Sequence, residues 1–178
     1  MDSPASEDLV RKSSSAHFRV WTDVFGSLEQ EAERRRVSLN VLVNQVLASY
    51  VRDELLFEKI GYLKMTKDAY RAHLGVIPDD KLGELGTKLA KTNPREIMLA
   101  RKGVVSMDGV LDLLSLQSRF GLWSLQTVER DGKNAVTLMH DLGPKESVLL
   151  AAYVTGLFAL VNVRGKVTTT DFSVMIEY

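Results

Sequence analysis

The run "RRRVSLNVLVNQVLASYV", residues 34–51, constrains this chain more than any other stretch. Leu39, Leu42, Val43, Val46, Leu47, Tyr50 and Val51 follow one another at helical spacing, with no Gly or Pro between them. The pattern predicts an amphipathic helix whose apolar stripe is about as wide as it can be without full burial. Ser38 stands ahead of it as an N-cap. The preceding "VFGSLEQEAERRR" puts Phe25, Leu28 and Ala32 on one side of another helix, with Thr22 or Asp23 as its cap and Val37 at its end. Upstream, in "SSSAHFRVW", Ala16, Phe18 and Val20 alternate with Ser15, His17 and Arg19, the period of a strand with one buried face. Strand, helix and helix within fifty residues are too little chain to enclose that stripe. The single strand also leaves backbone donors and acceptors in need of a partner. Two interlocked copies remove both difficulties, so the sequence predicts a homodimer.

The rest of the chain divides by its patterning. Residues 1–13 are expected to be a disordered tail, 14–53 the dimerising unit and 54–105 a helical linker with breaks near Gly61 and Gly75. Within the linker, "NPREIMLARKG" opens with Asn93 as cap, Pro94 at the first helical position and Glu96 in the first turn. Residues 106–178 are expected to form an α+β domain in the order α-β-β-α-β-β, an antiparallel sheet with helices on one face. Its first hairpin turns at Asp131-Gly132, a strong short-range signal for a two-residue turn. Its last strand alternates Phe172, Val174, Ile176 and Tyr178 with Ser173, Met175 and Glu177. Between the hairpins, "SVLLAAYVTGLFALVNV" carries no charge. It falls short of the roughly 18–20 apolar residues a membrane span requires, and a mostly buried helix accounts for it better.

The first fifty residues resemble the ribbon-helix-helix family of prokaryotic DNA-binding proteins, over about residues 14–51. The resemblance rests on the alternating "SAHFRV", on Leu28 and Ala32, and on the Ser-Leu-Asn that opens the second helix. Val37 stands where a glycine is common in that family, and Trp21 where a proline is common. The resemblance implies an intertwined dimer whose paired strands enter the major groove of double-stranded DNA. Ser15, His17 and Arg19 would then read bases, and Arg19 could meet the two acceptors of a guanine. Ser38, Leu39, Asn40 and Arg36 would hold phosphate at the start of the second helix. Arg11, Lys12 and Arg34 to Arg36 would add sequence-blind attraction, which Glu7 and Asp8 would weaken. Against this stands a plainer reading of the arginines as a solvated helix end whose cations suit the helix dipole.

Composition narrows the function classes. The 23 basic and 23 acidic residues cancel, which argues against indiscriminate coating of nucleic acid or membrane but not against a local basic surface. There are no cysteines and only three widely separated histidines, so thiol chemistry is excluded and neither a metal site nor a cofactor is expected. The opening "MDSPASEDLV" is acidic and polar, unlike a signal or transit peptide, and a cytoplasmic protein is expected. His140-Asp141 invites an acid–base reading, yet His140 shares phase with Val136, Leu138 and Leu142 and is expected to be a hydrogen-bonded core residue. No catalytic residues are expected. The sequence therefore reads as a transcriptional regulator, with two rival readings: an antitoxin-type autoregulator that binds a toxin partner, or a non-DNA-binding oligomeric scaffold or small-molecule-binding protein. It leaves open a small-molecule effector, with Trp123 and Phe158 as pocket candidates, and assembly beyond the dimer.

Overall fold

The computed structural model describes residues 14–130 and 132–178, so the expected tail, with Glu7, Asp8, Arg11 and Lys12, lies outside the described residues. The chain forms two compact units, one ending at Tyr62 and one beginning at Leu63.

In the first unit, α1 (Thr22–Arg35) begins at Trp21, whose side chain makes no capping bond. Neither Thr22 nor Asp23 is the cap: both lie inside the first turn, where Asp23 instead offsets the positive helix end. The helix closes in a Schellman turn, with Arg36 N–H donating to Glu33 O and Val37 N–H to Ala32 O, each at 3.0 Å. The residue in left-handed backbone is therefore Arg36 (φ 55°, ψ 42°), not Val37. Val37 falls at the following position, half-buried, where this motif ordinarily places an apolar side chain. Ser38 caps α2 (Leu39–Ser49) as predicted, its hydroxyl accepting from Val41 N–H at 3.3 Å. α2 runs on through a π turn (Tyr50–Glu54) into α3 (Leu55–Ile60), which ends at Gly61.

The expected strand over residues 15–20 does not form. Residues 14–21 have no regular secondary structure and pair with no strand among the described residues. The physical reason is the one that made a single strand suspect: extended backbone becomes a strand only when a neighbour takes up its hydrogen bonds.

The second unit is α+β. Its sheet has the order β1 (Ser124–Arg130), β2 (Lys133–Met139), β4 (Ser173–Glu177), β3 (Lys166–Thr170), antiparallel throughout. Arg130 pairs with Lys133, which leaves a two-residue turn. Its Gly132 has φ 72°, as such turns require, while Asp131 lies outside the described residues. Val136, Leu138, Val174 and Ile176 share the buried sheet face. α7 (Met107–Arg119) packs against β1, and α8 (Pro144–Leu160) against β3 and β4.

The stretch expected as a helical linker, 54–105, is divided between the units. Residues 54–62 belong to the first, whereas α4 (Lys67–Gly75), α5 (Asp79–Thr92) and α6 (Pro94–Lys102) belong to the second. The reason lies in α8. Glu146, Ser147, Leu149, Leu150, Tyr153, Val154, Leu157 and Phe158 are buried, and together they cover about half of the helix's circumference, a wider arc than the stripe that ordinarily faces one layer. α5 makes the most extensive helix contact with α8 and supplies the missing cover, with Leu74, Leu82 and Leu149 in one buried cluster flanked by Tyr70, Ile77 and Leu85. Lys145 fastens the junction by donating to Ile77 O at 2.6 Å and Gly75 O at 3.0 Å, carbonyls at and beyond the end of α4. Arg101 and Asp112 join α6 to α7 through a two-pronged ion pair at 2.6 and 3.3 Å. No helix of the described residues is long and apolar enough to cross a membrane.

The α5–α8 crossing is backbone-close. A Cβ built on Gly86 would stand 2.2 Å from Leu149 O, and one on Gly156 would stand 2.5 Å from the Ala90 methyl. Gly86→Ala should therefore push the helices apart and lower stability by about 1–3 kcal/mol, the range typical of overpacking. Gly83→Ala, on the same helix but with open space at its Cβ, should be neutral or stabilising. Thermal melts of the two variants check this: equal melting temperatures would show that the crossing is not tight.

Candidate nucleic-acid interface

The first unit holds its apolar side chains in an unusual way for a folded segment. Ala32, Leu42 and Phe57 are buried, and Leu39 and Val43 are half-buried. The rest of the α2 stripe is open: Val46, Leu47, Tyr50 and Val51 are each 46–64% exposed. The arm before α1 is more open still, with Phe18 at 73% and Trp21 at 81%, and Val20, Val24 and Phe25 are exposed as well. Single exposed apolar residues are ordinary; a run of them along one segment and another along one helix face is the kind of surface that association sites present.

At the opposite, N-terminal end of α2 is the turn that carries the predicted phosphate-binding residues. Arg36, Ser38, Leu39 and Asn40 are consecutive or nearly so, and the structure brings them together at the start of α2. The Ser38 hydroxyl serves Val41 N–H, which leaves the N–H groups of Leu39 and Asn40 as first-turn donors with no acceptor inside the helix. Leu39 is half-buried, so its backbone is the part a ligand would meet. The Asn40 side-chain oxygen already accepts from Asn44 Nδ2 at 3.2 Å. The base-reading candidates Ser15, His17 and Arg19 are all exposed, in the arm that has no regular structure, so the chain alone does not array them on a strand face.

Sequence reading missed Glu31. Arg34 approaches both of its carboxylate oxygens, through Nε at 2.7 Å and Nη2 at 2.6 Å, and Arg35 adds its own Nε at 2.5 Å. The bond to Arg34, then that to Arg35, holds the Glu31 carboxyl far below the usual range, at about 2. The signal was present in the spacing, since residues three and four apart face each other on a helix. Arg36 makes no ion pair among the described residues.

The second unit gathers its own polar groups. His140 is buried, with Nδ1 accepting from Leu142 N–H at 3.3 Å and Nε2 3.0 Å from Ser147 Oγ. An accepting Nδ1 places the proton of a neutral ring on Nε2, so His140 donates to Ser147. Burial pushes its pKa down, in keeping with the neutral ring. A serine nucleophile needs the opposite arrangement, in which the histidine accepts from the hydroxyl and its other nitrogen donates to an orienting group. Asp141 turns away from His140 to Lys67 at 2.9 Å and Arg71 at 3.5 Å. A recess of about 300 Å³ lies here, bordered by Lys67, Trp123, Met139, His140 and Asp141. Trp123 thus lines it, whereas Phe158 is fully buried and stands edge-on to Tyr178. Among the described residues no group of three or more His, Asp or Glu side chains is placed to hold a metal.

No family model matches the chain, and neither does any curated protein or solved structure.

The most perturbed buried group is Glu146, 1% exposed, whose Oε2 accepts from Tyr70 Oη at 2.8 Å. Burial pushes its pKa from 4.5 up to about 7. The folded state therefore holds this proton more tightly than the unfolded chain, and stability is lost as pH rises from about 4.5 to about 7. The full loss is about 3 kcal/mol. Glu146→Gln keeps an acceptor for Tyr70 but cannot ionise. Denaturant unfolding at pH 5 and pH 8 should find the variant more stable than wild type at pH 8, with the difference shrinking at pH 5. A difference independent of pH would refute the assignment.

Proposed function

We propose that this chain is a sequence-specific, non-catalytic DNA-binding transcription regulator that acts as a homodimer through a ribbon-helix-helix unit at residues 14–53. The observation that carries the reading is the open apolar face of α2, Val46, Leu47, Tyr50 and Val51, together with the exposed Phe18 and Val20 of the arm. A second copy covers both. Its arm supplies the hydrogen-bonding neighbour that residues 15–20 lack, and its α2 buries the stripe.

Once the arms pair, alternation separates their faces. Ala16, Phe18 and Val20 turn toward the helices, and Ser15, His17 and Arg19 turn outward to the major groove. Arg19, with a planar fork of donors, suits the paired acceptors of guanine, while His17 and Ser15 address neighbouring bases. Arg36 and the Ser38-Leu39-Asn40 helix start hold phosphates on either side and set the ribbon's register. The N–H groups of that first turn, which have no acceptor inside the helix, and Arg36, which has no ion pair among the described residues, support this role. A two-fold protein of this kind binds a site with matching two-fold symmetry.

Light scattering after gel filtration should find a dimer for wild type and a monomer for Val46→Asp. Fluorescence anisotropy on mixed genomic fragments should show binding that falls steeply with salt. Arg19→Ala should remain dimeric and lose roughly 5- to 150-fold in affinity for its preferred fragments, the worth of one bidentate base contact. A dimeric wild type that binds no DNA at low salt would leave residues 14–53 as a dimerisation module only.

A further inference from the structure

Three arginines end α1, yet the structure treats them unequally. Arg34 and Arg35 converge on Glu31, while Arg36 sits in the turn before Ser38 with no ion pair among the described residues. Resting on the DNA-binding reading above, we infer that Glu31 is an internal competitor for phosphate that holds down sequence-blind affinity. The Arg34 guanidinium spends two donors on one carboxylate in the fork geometry it would otherwise offer to a phosphate. Arg35 spends a third on the same group.

The clamp is on the surface. The side chains of Arg34 and Arg35 are 70% and 50% exposed and that of Glu31 is 30% exposed, so phosphate can reach the arginines but must displace or share the carboxylate. An exposed ion pair is weak enough to exchange with such a rival. Because Glu31 stays ionised down to about 2, the competition does not switch with pH over the range in which proteins work. It is a constant discount on backbone attraction. Base readout by the arm is untouched, so it makes up a larger share of the binding free energy of a specific complex.

Anisotropy with mixed-sequence duplex DNA between 50 and 200 mM salt, on the order of the conditions where phosphate contacts dominate, tests the inference. Glu31→Gln frees the Arg34–Arg35 pair of each chain for one phosphate in place of the carboxylate, two new contacts per dimer, and each steepens the salt dependence by about 0.9. The variant should therefore bind roughly tenfold tighter than wild type at the low-salt end, with the advantage fading toward the high-salt end. Adding Arg34→Gln and Arg35→Gln to it should abolish the gain. Glu29→Gln removes the same charge from the same helix without releasing an arginine, and should change binding much less. Equal effects from the Glu29 and Glu31 variants, or no effect from Glu31→Gln while wild type binds, would overturn the clamp and leave the DNA-binding reading standing. No binding by wild type or any variant would overturn that reading itself, and the clamp with it. Gel filtration of each variant confirms that the dimer is unchanged.

Discussion

The second unit is organised around one constraint: α8 must be buried on more than one side. A helix with a single apolar stripe can lie on a sheet and show its other side to water. α8 carries Leu149, Leu150, Tyr153, Val154, Leu157 and Phe158, which no single layer covers. The sheet takes part of this surface and α5 another, at a distance that only Gly86 and Gly156 permit. From this follows the incorporation of α4 to α6 into the unit. The Lys145 and Arg101–Asp112 links then tie the surrounding helices to one another and to α8.

The first unit solves the same problem differently. It is rich in apolar residues on α2 and in the arm, and it leaves them open. In the proposed reading a second copy covers that surface, and the stability of the unit is then tied to association. That makes its surface the functional one in the proposed reading. In that reading the elements that would meet nucleic acid, the arm and the start of α2, belong to the same small unit as the face that would recruit a second copy. Affinity and assembly are then coupled through the same forty or so residues.

Charge follows a similar economy. A net charge of zero conceals local arrangements that decide what each ionic group can do. Glu31 gathers two arginines, Lys67 and Arg71 gather on Asp141, and Glu146 is buried against a tyrosine. Of the runs that look basic in sequence, only part is available to a ligand. Counting arginines in "RRR" overstates the basic surface, because the partner lies one turn back on the same helix.

Much of this was legible from residue order. The Ser38 cap, the α2 stripe, the two hairpins and their alternation, and the core placing of His140 all depend on local spacing and backbone chemistry, which a linear chain displays directly. The arm's alternation was equally visible, but a strand is a relation between two segments, and alternation in one of them cannot create the other. Pairing, cover and proximity belong to tertiary structure alone. Only the fold could decide that 63–105 packs as part of the second unit, because what recruits α5 is the uncovered side of a helix about sixty residues away. Only the fold could show that Arg36, and not Val37, takes the left-handed turn, and that Glu31 holds its neighbours. Sequence determines which surfaces each element must hide; which partner hides them is settled by the three-dimensional arrangement, since burial acts between surfaces wherever the chain brings them together.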